Sequence, residues 1–248
     1  MKKVLLIGAS GQLGSCLLQD AVRFDFKFFH FPRPELDINK TSDLEEKFRE
    51  IKPEIVINTV AFHVIPECET DFGQALGVNA ASVGRLARLS KIYGAKFISY
   101  STEMVFDGSS GRPYREGDTT HPLQAYGLSK LVGEYAARHF NPGGSYIIRT
   151  SGLYGGKTGS RSRSGNFVLN IIKAARGQEA IEVSSEQIVS PSYAGDVSTA
   201  TLKLLKKDLP AGVYHLVNEG QTSWAGFAEE IFKIFGIPTK VLPVDRGG

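Results

Sequence analysis

The chain has 248 residues, of which 42% are hydrophobic and 22% charged, and this length can bury a sizeable core in one large domain or slightly more. Its formal net charge of +3 is too small, and its charges are too interspersed, for a nucleic-acid binder, and no apolar run approaches the roughly 18 residues that cross a membrane. Two cysteines and five scattered histidines give neither a disulfide framework nor a zinc-like spacing, so we expect no metal site and a reducing, cytoplasmic compartment.

The first predicted strand, residues 2–7, runs directly into a glycine-rich turn. The turn reads Gly8-Ala-Ser-Gly11-Gln-Leu-Gly14, a variant of the dinucleotide-binding fingerprint. Gly8 permits a tight turn, Gly11 lets the backbone approach a pyrophosphate, and Gly14 lets the next helix lie close on the strand. That helix, predicted over residues 13–22, presents amide N–H groups and the positive end of its dipole to phosphates. A glycine-rich turn that binds nothing is the alternative, but the position after a first strand favours a cofactor site.

Strands and helices alternate through the rest of the first 150 residues. Such alternation predicts an α/β fold, a Rossmann-type doubly wound parallel sheet that binds its ligand at the carboxyl ends of the strands. The predicted strands are residues 27–31, 55–60, 96–101 and 146–150, and the predicted helices are residues 41–51, 72–93 and 124–140.

The pattern loosens after residue 150. We therefore divide the chain into a cofactor domain, residues 1–150, and a smaller C-terminal substrate-binding lobe, residues 151–248. A helix near residues 193–207 is expected to pack back on the cofactor domain. The chain ends in Val244-Asp-Arg-Gly-Gly without an evident final helix, which leaves open that the lobe lacks its final element. The other elements predicted in this half are helices at residues 167–176 and 224–235 and extended segments at residues 180–183 and 213–217.

Residues at the strand ends are candidates for holding the rest of the cofactor. Arg33 follows the second strand, where the acid that grips an adenosine ribose is absent, and an arginine there suits a 2′-phosphate, which favours NADP. Asp37 follows in a loop-like setting and suits an adenine edge, and Ala61 is one of the small residues at the end of the third strand, where a cofactor lies flat. The alternatives are an exposed arginine without a ligand, a solvated aspartate and plain strand packing. Asn79, polar in an otherwise apolar helix, is expected to tie that helix to the strand.

A tyrosine and a lysine four residues apart indicate catalytic chemistry. Tyr126 and Lys130 share one face of the predicted helix, and a neighbouring positive charge lowers the proton affinity of a phenol. Such a tyrosine exchanges a proton with a substrate oxygen near neutral pH. The fourth strand ends in Ser101-Thr102, whose hydroxyls suit a hydrogen bond to that oxygen. A solvent-facing lysine and a strand-end hydroxyl bonded to backbone are the alternatives for each motif in isolation, but their combination with the glycine turn favours catalysis.

With these motifs, the chain resembles an extended short-chain dehydrogenase/reductase and, within that superfamily, the dTDP-4-dehydrorhamnose reductase family. The resemblance implies reduction of the C4 ketone of a nucleotide-linked deoxysugar in dTDP-L-rhamnose biosynthesis. It implies NADPH as the cofactor, with NADH as an alternative, a nucleotide-sugar substrate, and a homodimer as an open option. The segments that carry the resemblance span nearly the whole chain and are residues 8–14, 36–38, 101–108, 126–134, 149–151, 154–155, 166–167 and 187–191.

The resemblance also implies roles for individual residues. Thr102, Tyr126 and Lys130 form the implied catalytic set. In it, Tyr126 donates the proton, Lys130 lowers the pKa of that phenol and holds the nicotinamide ribose, and Thr102 steadies the developing charge. The implied cofactor contacts are Gly8, Ser10, Gly11, Gln12, Leu13, Arg33, Asp37, Ile38, Ala61, Phe62, Tyr126 and Lys130. The implied substrate contacts are Thr102, Glu103, Val105, Tyr126 and Asn166.

The chain departs from the family pattern near the expected sugar site. Glu103-Met104 stands where the family has Asp-Tyr, and Gly152 stands where it has a tryptophan, whose loss removes a large stacking surface. Residues 63–66 also differ from the family pattern. A basic segment, residues 157–165, adds three cations that suit a pyrophosphate or else form a solvated loop.

Two other functions stay open. An altered sugar pocket also fits a non-catalytic NADP-binding regulatory subunit, similar to the beta subunit of methionine adenosyltransferase. The other option is a different sugar-nucleotide reductase, an epimerase or a dehydratase of the same superfamily. Dehydratases place an acid directly after the strand-end threonine, where Glu103 stands. The intact threonine, tyrosine and lysine favour the reductase.

Overall fold

The computed structural model describes residues 1–156 and 165–245, and six strands of these ranges form one parallel sheet. The strands are β1 (Lys2–Ile7), β2 (Phe26–His30), β3 (Ile55–Asn58), β4 (Lys96–Thr102), β5 (Ser145–Thr150) and, much later in the chain, β10 (Gly212–His215). They lie in the order β2-β1-β3-β4-β5-β10, so the strand order reverses between β1 and β3. Doubly wound sheets bind their ligands at such a reversal. The parallel sheet confirms the predicted α/β, Rossmann-type fold class.

Helices cover both faces of this sheet, and alternate residues of one strand serve the two faces. Val4 and Leu6 of β1 pack in the core cluster on one side. Leu5 and Ile7 pack in the cluster on the other side, as the two-residue period of a strand requires. All four side chains are at most 3% exposed, so this strand is buried on both faces. The helices of the first 150 residues are α1 (Gln12–Ala21), α2 (Thr41–Ile51), α3 (Ile65–Thr70), α4 (Phe72–Leu76), α5 (Ser82–Ile92) and α6 (Ala125–Phe140).

The long helix predicted at residues 72–93 is interrupted. A π turn, Gly77–Ala81, lies between α4 and α5. Single π turns inside helices are frequent at functional sites, and this one carries the buried Asn79. The short helix α3 was not predicted; Pro66 lies in its first turn, where the missing N–H of a proline costs no hydrogen bond.

The chain after residue 150 builds small two-stranded sheets and returns twice to the main sheet. Strand β10 pairs with β5 at the sheet edge. Helix α8 (Ala194–Lys206) packs on α1, where the Ser198 and Thr199 hydroxyls donate to the Asp20 carboxylate at 2.8 and 3.0 Å. The remaining elements of this half are β6 (Leu153–Tyr154), α7 (Phe167–Ala174), β7 (Ala180–Ser184), β8 (Ile188–Val189), β9 (Ser192–Tyr193), α8 (Ala194–Lys206), β11 (Thr222–Ser223), α9 (Trp224–Phe235) and β12 (Lys240–Val244).

Strand β12 was not predicted; it pairs in parallel with β7, and α9 packs against both strands.

The division of the chain at residue 150 stays a prediction. The basic segment predicted at residues 157–165 lies, apart from Gly165, outside the described residues. Within residues 1–156 and 165–245, no helix has the length and apolar character that a membrane crossing requires, and no group of three or more His, Cys, Asp or Glu side chains could hold a metal ion.

Candidate active site

The turn after β1 has the geometry that a dinucleotide phosphate needs. Gly8 has φ +85°, and a Cβ there would lie 2.5 Å from Thr59 Oγ1. A Cβ on Gly14 would overlap the Gly8 carbonyl oxygen and lie 2.8 Å from Ala9 Cα. The Gly11 amide donates to that same carbonyl at 3.0 Å, which closes the turn. Positions 8 and 14 therefore admit glycine with little room for any other residue.

Helix α1 starts directly after this turn. Among the described residues, no side chain caps its first turn, where Gly11 is the N-cap residue. The uncapped amide N–H groups and the helix dipole suit an anion, so the residues present fit the diphosphate of a nicotinamide dinucleotide. Ser10 is exposed on the same turn, whereas the Leu13 side chain is buried in the core.

Gln12 and Asn166 connect this turn to the second half of the chain. Both side chains are buried, and the Asn166 amide donates to Gln12 Oε1 at 3.3 Å and to the Gly155 carbonyl. The Asn166 oxygen also accepts from the Leu169 amide and so caps α7. The structure thus gives Asn166 local partners through both ends of its amide, and a substrate contact by this residue stays a prediction.

The adenosine end of the predicted site is open. The Arg33 side chain is 83% exposed, with Nε 4.0 Å from the Asp37 carboxylate. The other Asp37 oxygen accepts from the Asn39 amide at 2.9 Å, and Ile38 is buried in the core. A guanidinium so exposed at the carboxyl end of β2 is free to reach a phosphate group on a bound nucleotide.

Asn79 of the π turn organises the middle of the site. Its side chain accepts from the Phe62 amide at 2.9 Å and donates to the Phe62 carbonyl at 2.7 Å. It also donates to Ser129 Oγ at 2.9 Å, and that hydroxyl donates to the Tyr126 carbonyl at 2.7 Å. Asn79 was predicted to tie its helix to the strand; the structure shows it bonded to the loop that follows β3, at Phe62, four residues beyond the last residue of the strand. The same amide also fixes the first turn of α6.

The elements that carry the predicted catalytic residues are in direct contact. A Cβ on Gly127 would overlap the carbonyl oxygen of Met104, so the first turn of α6 lies on the 3₁₀ turn that follows Thr102. Thr102 itself is 6% exposed and accepts from the Met104 amide at 3.2 Å. The sequence signal for this contact is Gly127, the glycine between the paired tyrosine and lysine, which was not predicted as a contact residue.

Lys130 lies one helical turn beyond Tyr126 and is 5% exposed. Burial lowers the pKa of its ammonium group to about 8, while the negative charge of Glu134 raises it. The pKa of Lys130 is therefore only slightly above neutral pH. Tyr126 is half-buried in the first turn of the same helix.

Glu103 accepts a hydrogen bond from the Thr102 hydroxyl at 3.3 Å. Burial raises the pKa of Glu103 to about 7, although bonds from its own amide, Thr102, Gly152 and Ser151 oppose the shift. By contrast, Val105 is fully buried and its carbonyl accepts from the His121 amide. The predicted substrate contact of Val105 stays a prediction.

The raised pKa of Glu103 makes stability depend on pH. Between the ordinary value of 4.5 and about 7, the folded protein keeps a proton that the unfolded chain releases, so stability falls as pH rises through this window. Glu103→Gln should therefore be more stable than the parent at pH 8, by roughly 2 kcal/mol, and nearly equal to it at pH 5. Thermal unfolding at the two pH values measures this, with Glu230→Gln, an exposed carboxylate on α9, as the control. A difference that does not change with pH would contradict the expectation.

A cavity of about 620 Å³ opens beside Glu103, within the range of small-molecule sites. Arg149, Ser151 and His215 line it at the carboxyl ends of β5 and β10. Thr150 Oγ1 and His215 Nε2 are buried there and have no hydrogen-bond partner among the described residues. Such atoms are available to a bound polar molecule or to water. None of these cavity residues was predicted except Glu103.

The chain is similar to known proteins over nearly its whole length. The family model for the RmlD substrate binding domain matches residues 1–247. A spore coat polysaccharide biosynthesis protein of Bacillus subtilis is 34% identical over 244 residues, which are 98% of this chain and 83% of that protein. A dTDP-4-dehydrorhamnose reductase of Burkholderia thailandensis is 32% identical over 98% of this chain and 86% of its own length. Among solved structures, the dTDP-4-dehydrorhamnose reductase of Bacillus anthracis in complex with NADP matches with a TM-score of 0.91 and 33% identity, over 99% of this chain and 86% of that chain.

Proposed function

This chain belongs to the RmlD substrate binding domain family, whose relatives include dTDP-4-dehydrorhamnose reductases, and we propose that it reduces the C4 ketone of a nucleotide-linked deoxysugar with NADPH. With dTDP-4-dehydrorhamnose as substrate, this reaction belongs to dTDP-L-rhamnose biosynthesis. The observation that carries the proposal is the seating of the first turn of α6, at Gly127, on the turn that follows Thr102. This contact supports a site in which Tyr126 and Thr102 approach one substrate oxygen.

The glycine turn and the uncapped start of α1 hold the cofactor diphosphate in this proposal, and Arg33 holds the 2′-phosphate. Bound NADPH supplies the hydride that reduces the sugar ketone. The side chains of the chain supply orientation and the proton, and correct orientation alone can account for a large part of a rate enhancement.

Three side chains act at the carbonyl in this proposal. Tyr126 donates its phenolic proton to the oxygen as negative charge develops there. The positive charge of Lys130 lowers the proton affinity of that phenol, and its ammonium group holds the nicotinamide ribose. Thr102 turns its hydroxyl from Glu103 to the substrate oxygen and stabilises the developing charge. Glu103 and the cavity beside it provide the substrate end of the site.

A panel of 4-keto sugar nucleotides tests the proposal. We expect the absorbance of NADPH to fall fastest with dTDP-4-dehydrorhamnose, because the curated relatives carry that activity in their names. Tight binding of NADPH without consumption by any member of the panel would contradict it. If a partner enzyme also co-purified with the protein, the regulatory-subunit alternative would be supported.

Arg33→Ala should change the choice of cofactor. Loss of a charge-assisted hydrogen bond to the 2′-phosphate should weaken NADPH binding about tenfold to a hundredfold and leave NADH binding unchanged. Titrations with both cofactors measure this. Arg23→Ala, which removes another exposed arginine near the end of α1, should change neither affinity. An equal loss for the two cofactors would contradict the assignment of Arg33.

A homodimer belongs to the same proposal. Leu128, Val132 and Tyr135 of α6 are 42%, 38% and 56% exposed, and their spacing places them on one face of the helix. A second copy of the chain is the occupant that we propose for this apolar face, and sedimentation equilibrium at micromolar concentration would detect it.

A cytoplasmic location is also proposed, because two cysteines in 248 residues suit a reducing compartment.

A further inference from the structure

The charge of Lys130 depends on a group that the reductase chemistry above does not use. Its ammonium is buried, and a buried cation loses its charge readily unless an opposite charge lies near. Glu134 lies one helical turn beyond Lys130 on α6, and its charge raises the pKa of Lys130 against the effect of burial. Lys130 and Glu134 are both at most 5% exposed, so solvent screens their interaction little.

The Glu134 carboxylate is held in one orientation by partners on two strands. Arg149 of β5 donates to both of its oxygens, with distances of 3.0 and 2.7 Å from Nε and Nη2. Ser101 of β4 donates to it at 2.5 Å. A bidentate arginine fixes the plane of a carboxylate as well as its position. These bonds restrain the Glu134 carboxylate, which lies four residues from Lys130 on the same helix.

The guanidinium of Arg149 is itself fixed. It donates to the Glu116 carbonyl at 3.3 Å, and its centre lies 5.1 Å from the ring of Phe106. The side chains of Arg149 and Glu134 are 6% and 1% exposed. A buried pair of this kind contributes little net stability, because removing both charges from water offsets their attraction. Its presence is better explained by what it positions.

The pair also joins β4 and α6, the two elements that carry the catalytic set, to strand β5. Ser101 precedes Thr102 on β4, Arg149 is the second-last residue of β5 and lines the cavity, and Glu134 lies on the helix of Tyr126 and Lys130. A single carboxylate thus connects α6 to the carboxyl ends of two neighbouring strands. A shift of α6 relative to β4 or β5 would therefore disturb these bonds.

We propose that Glu134 is a positioning residue, which keeps the Lys130 ammonium charged and fixes the catalytic helix against the ends of β4 and β5. This inference deepens the proposed reductase and rests on it for the role of Lys130. Charged groups on the elements packed against α6 have other partners in the structure. They are Glu69 of α3, which accepts from the Ala125 amide, Glu103, which bonds Thr102, and Arg85 of α5, which donates to the Ile38 carbonyl.

Glu134→Gln tests the inference, because it keeps the shape of the side chain and removes its charge. We expect the pKa of Lys130 in the protein without cofactor to fall by about one unit or more, measured by NMR of ¹⁵N-labelled lysine side chains. As the pH is raised, Lys130 should then lose its proton earlier, so the alkaline loss of turnover with NADPH should begin at a lower pH than in the parent. We expect kcat to be affected more than KM for the sugar nucleotide. Glu230→Gln, which removes an exposed carboxylate on α9, should change neither profile.

A double variant guards against a folding defect, since Glu134→Gln leaves the buried Arg149 without its carboxylate. Glu134→Leu with Arg149→Met removes both charges and should keep or raise the melting temperature. Because loss of the Arg149 cation raises the pKa of Lys130 while loss of the Glu134 carboxylate lowers it, we expect a smaller fall in this pKa than in Glu134→Gln. An unchanged pKa of Lys130 in folded Glu134→Gln, or a raised pKa in the double variant, would overturn the inference. A lowered pKa in a protein that reduces no sugar nucleotide would instead support the role of Glu134 and refute the proposed reaction.

Discussion

Tyr126→Phe is expected to bind NADPH like the parent protein and to lose turnover by about a thousandfold. The ring of phenylalanine fills the same half-buried space, and Tyr126 lies in the first turn of α6, where its backbone carbonyl still accepts from Ser129. What disappears is the proton donor, and general acid catalysis by one positioned group contributes about 10²- to 10⁴-fold. Single-turnover reduction and an NADPH titration measure the two quantities separately.

The same helix offers a matched control. Tyr135 lies nine residues further along α6 and is 56% exposed, so Tyr135→Phe removes a phenolic hydroxyl without touching the site. It should keep full turnover. A Tyr126→Phe variant that turned over normally would remove Tyr126 from the acid role, whereas loss of NADPH binding would indicate that the hydroxyl mainly holds the cofactor.

Local patterns were sufficient for most elements of the fold. The strand predicted at residues 2–7 and the helices predicted at residues 41–51 and 224–235 have the bounds of β1, α2 and α9. Runs of apolar residues and the helical period depend on neighbours within a few positions, which a sequence displays directly. The glycine turn was equally visible, because its spacing is a local pattern; the structure shows that Gly14 is required by backbone contacts within the turn and Gly8 by its positive φ and by residues 59–60, which follow β3.

Features that depend on distant residues were not predictable in this way. In the π turn, the Asn79 side chain forms hydrogen bonds to Phe62 and Ser129, which are 17 and 50 residues away in the chain. Strand β12 forms only because β7 lies beside it, 60 residues earlier in register. The burial of Val105, which was predicted as a substrate contact from its place in a motif, likewise depends on the packing of distant residues.

Glu134 illustrates the same limit within the site. The sequence shows that Glu134 follows Lys130 by four residues, yet many helices carry lysine and glutamate at that spacing on their solvent face. Burial and the partners Ser101 and Arg149, 33 and 15 residues away, distinguish this pair from a surface pair. The burial of Glu134 and its bonds to Ser101 and Arg149 arise only in the folded sheet, where β4 and β5 pair next to each other and α6 packs on them.

Gly14→Ala is expected to destroy the cofactor site with a single methyl group. The added Cβ would overlap the Gly8 carbonyl oxygen and press on Ala9 Cα at 2.8 Å, both of them backbone atoms that cannot turn aside. Either α1 moves away from β1 or the turn opens, and overpacking of this kind costs about 1–3 kcal/mol. We therefore expect the melting temperature to fall by roughly 3–10 °C. NADPH affinity should fall by about a hundredfold or more, because displacements of about 1 Å can already have effects of that size.

Gly77→Ala is the control for this variant, since Gly77 is also helical and no heavy atom lies within 4 Å of its added Cβ. It should keep NADPH affinity and melt at the same or a slightly higher temperature, because alanine favours a helix over glycine by up to about 1 kcal/mol. The two variants add the same methyl group, so a difference between them isolates the close approach of α1 to the glycine turn. Normal NADPH binding by a folded Gly14→Ala protein would show that the turn tolerates the shift, and the diphosphate would then have to be held elsewhere.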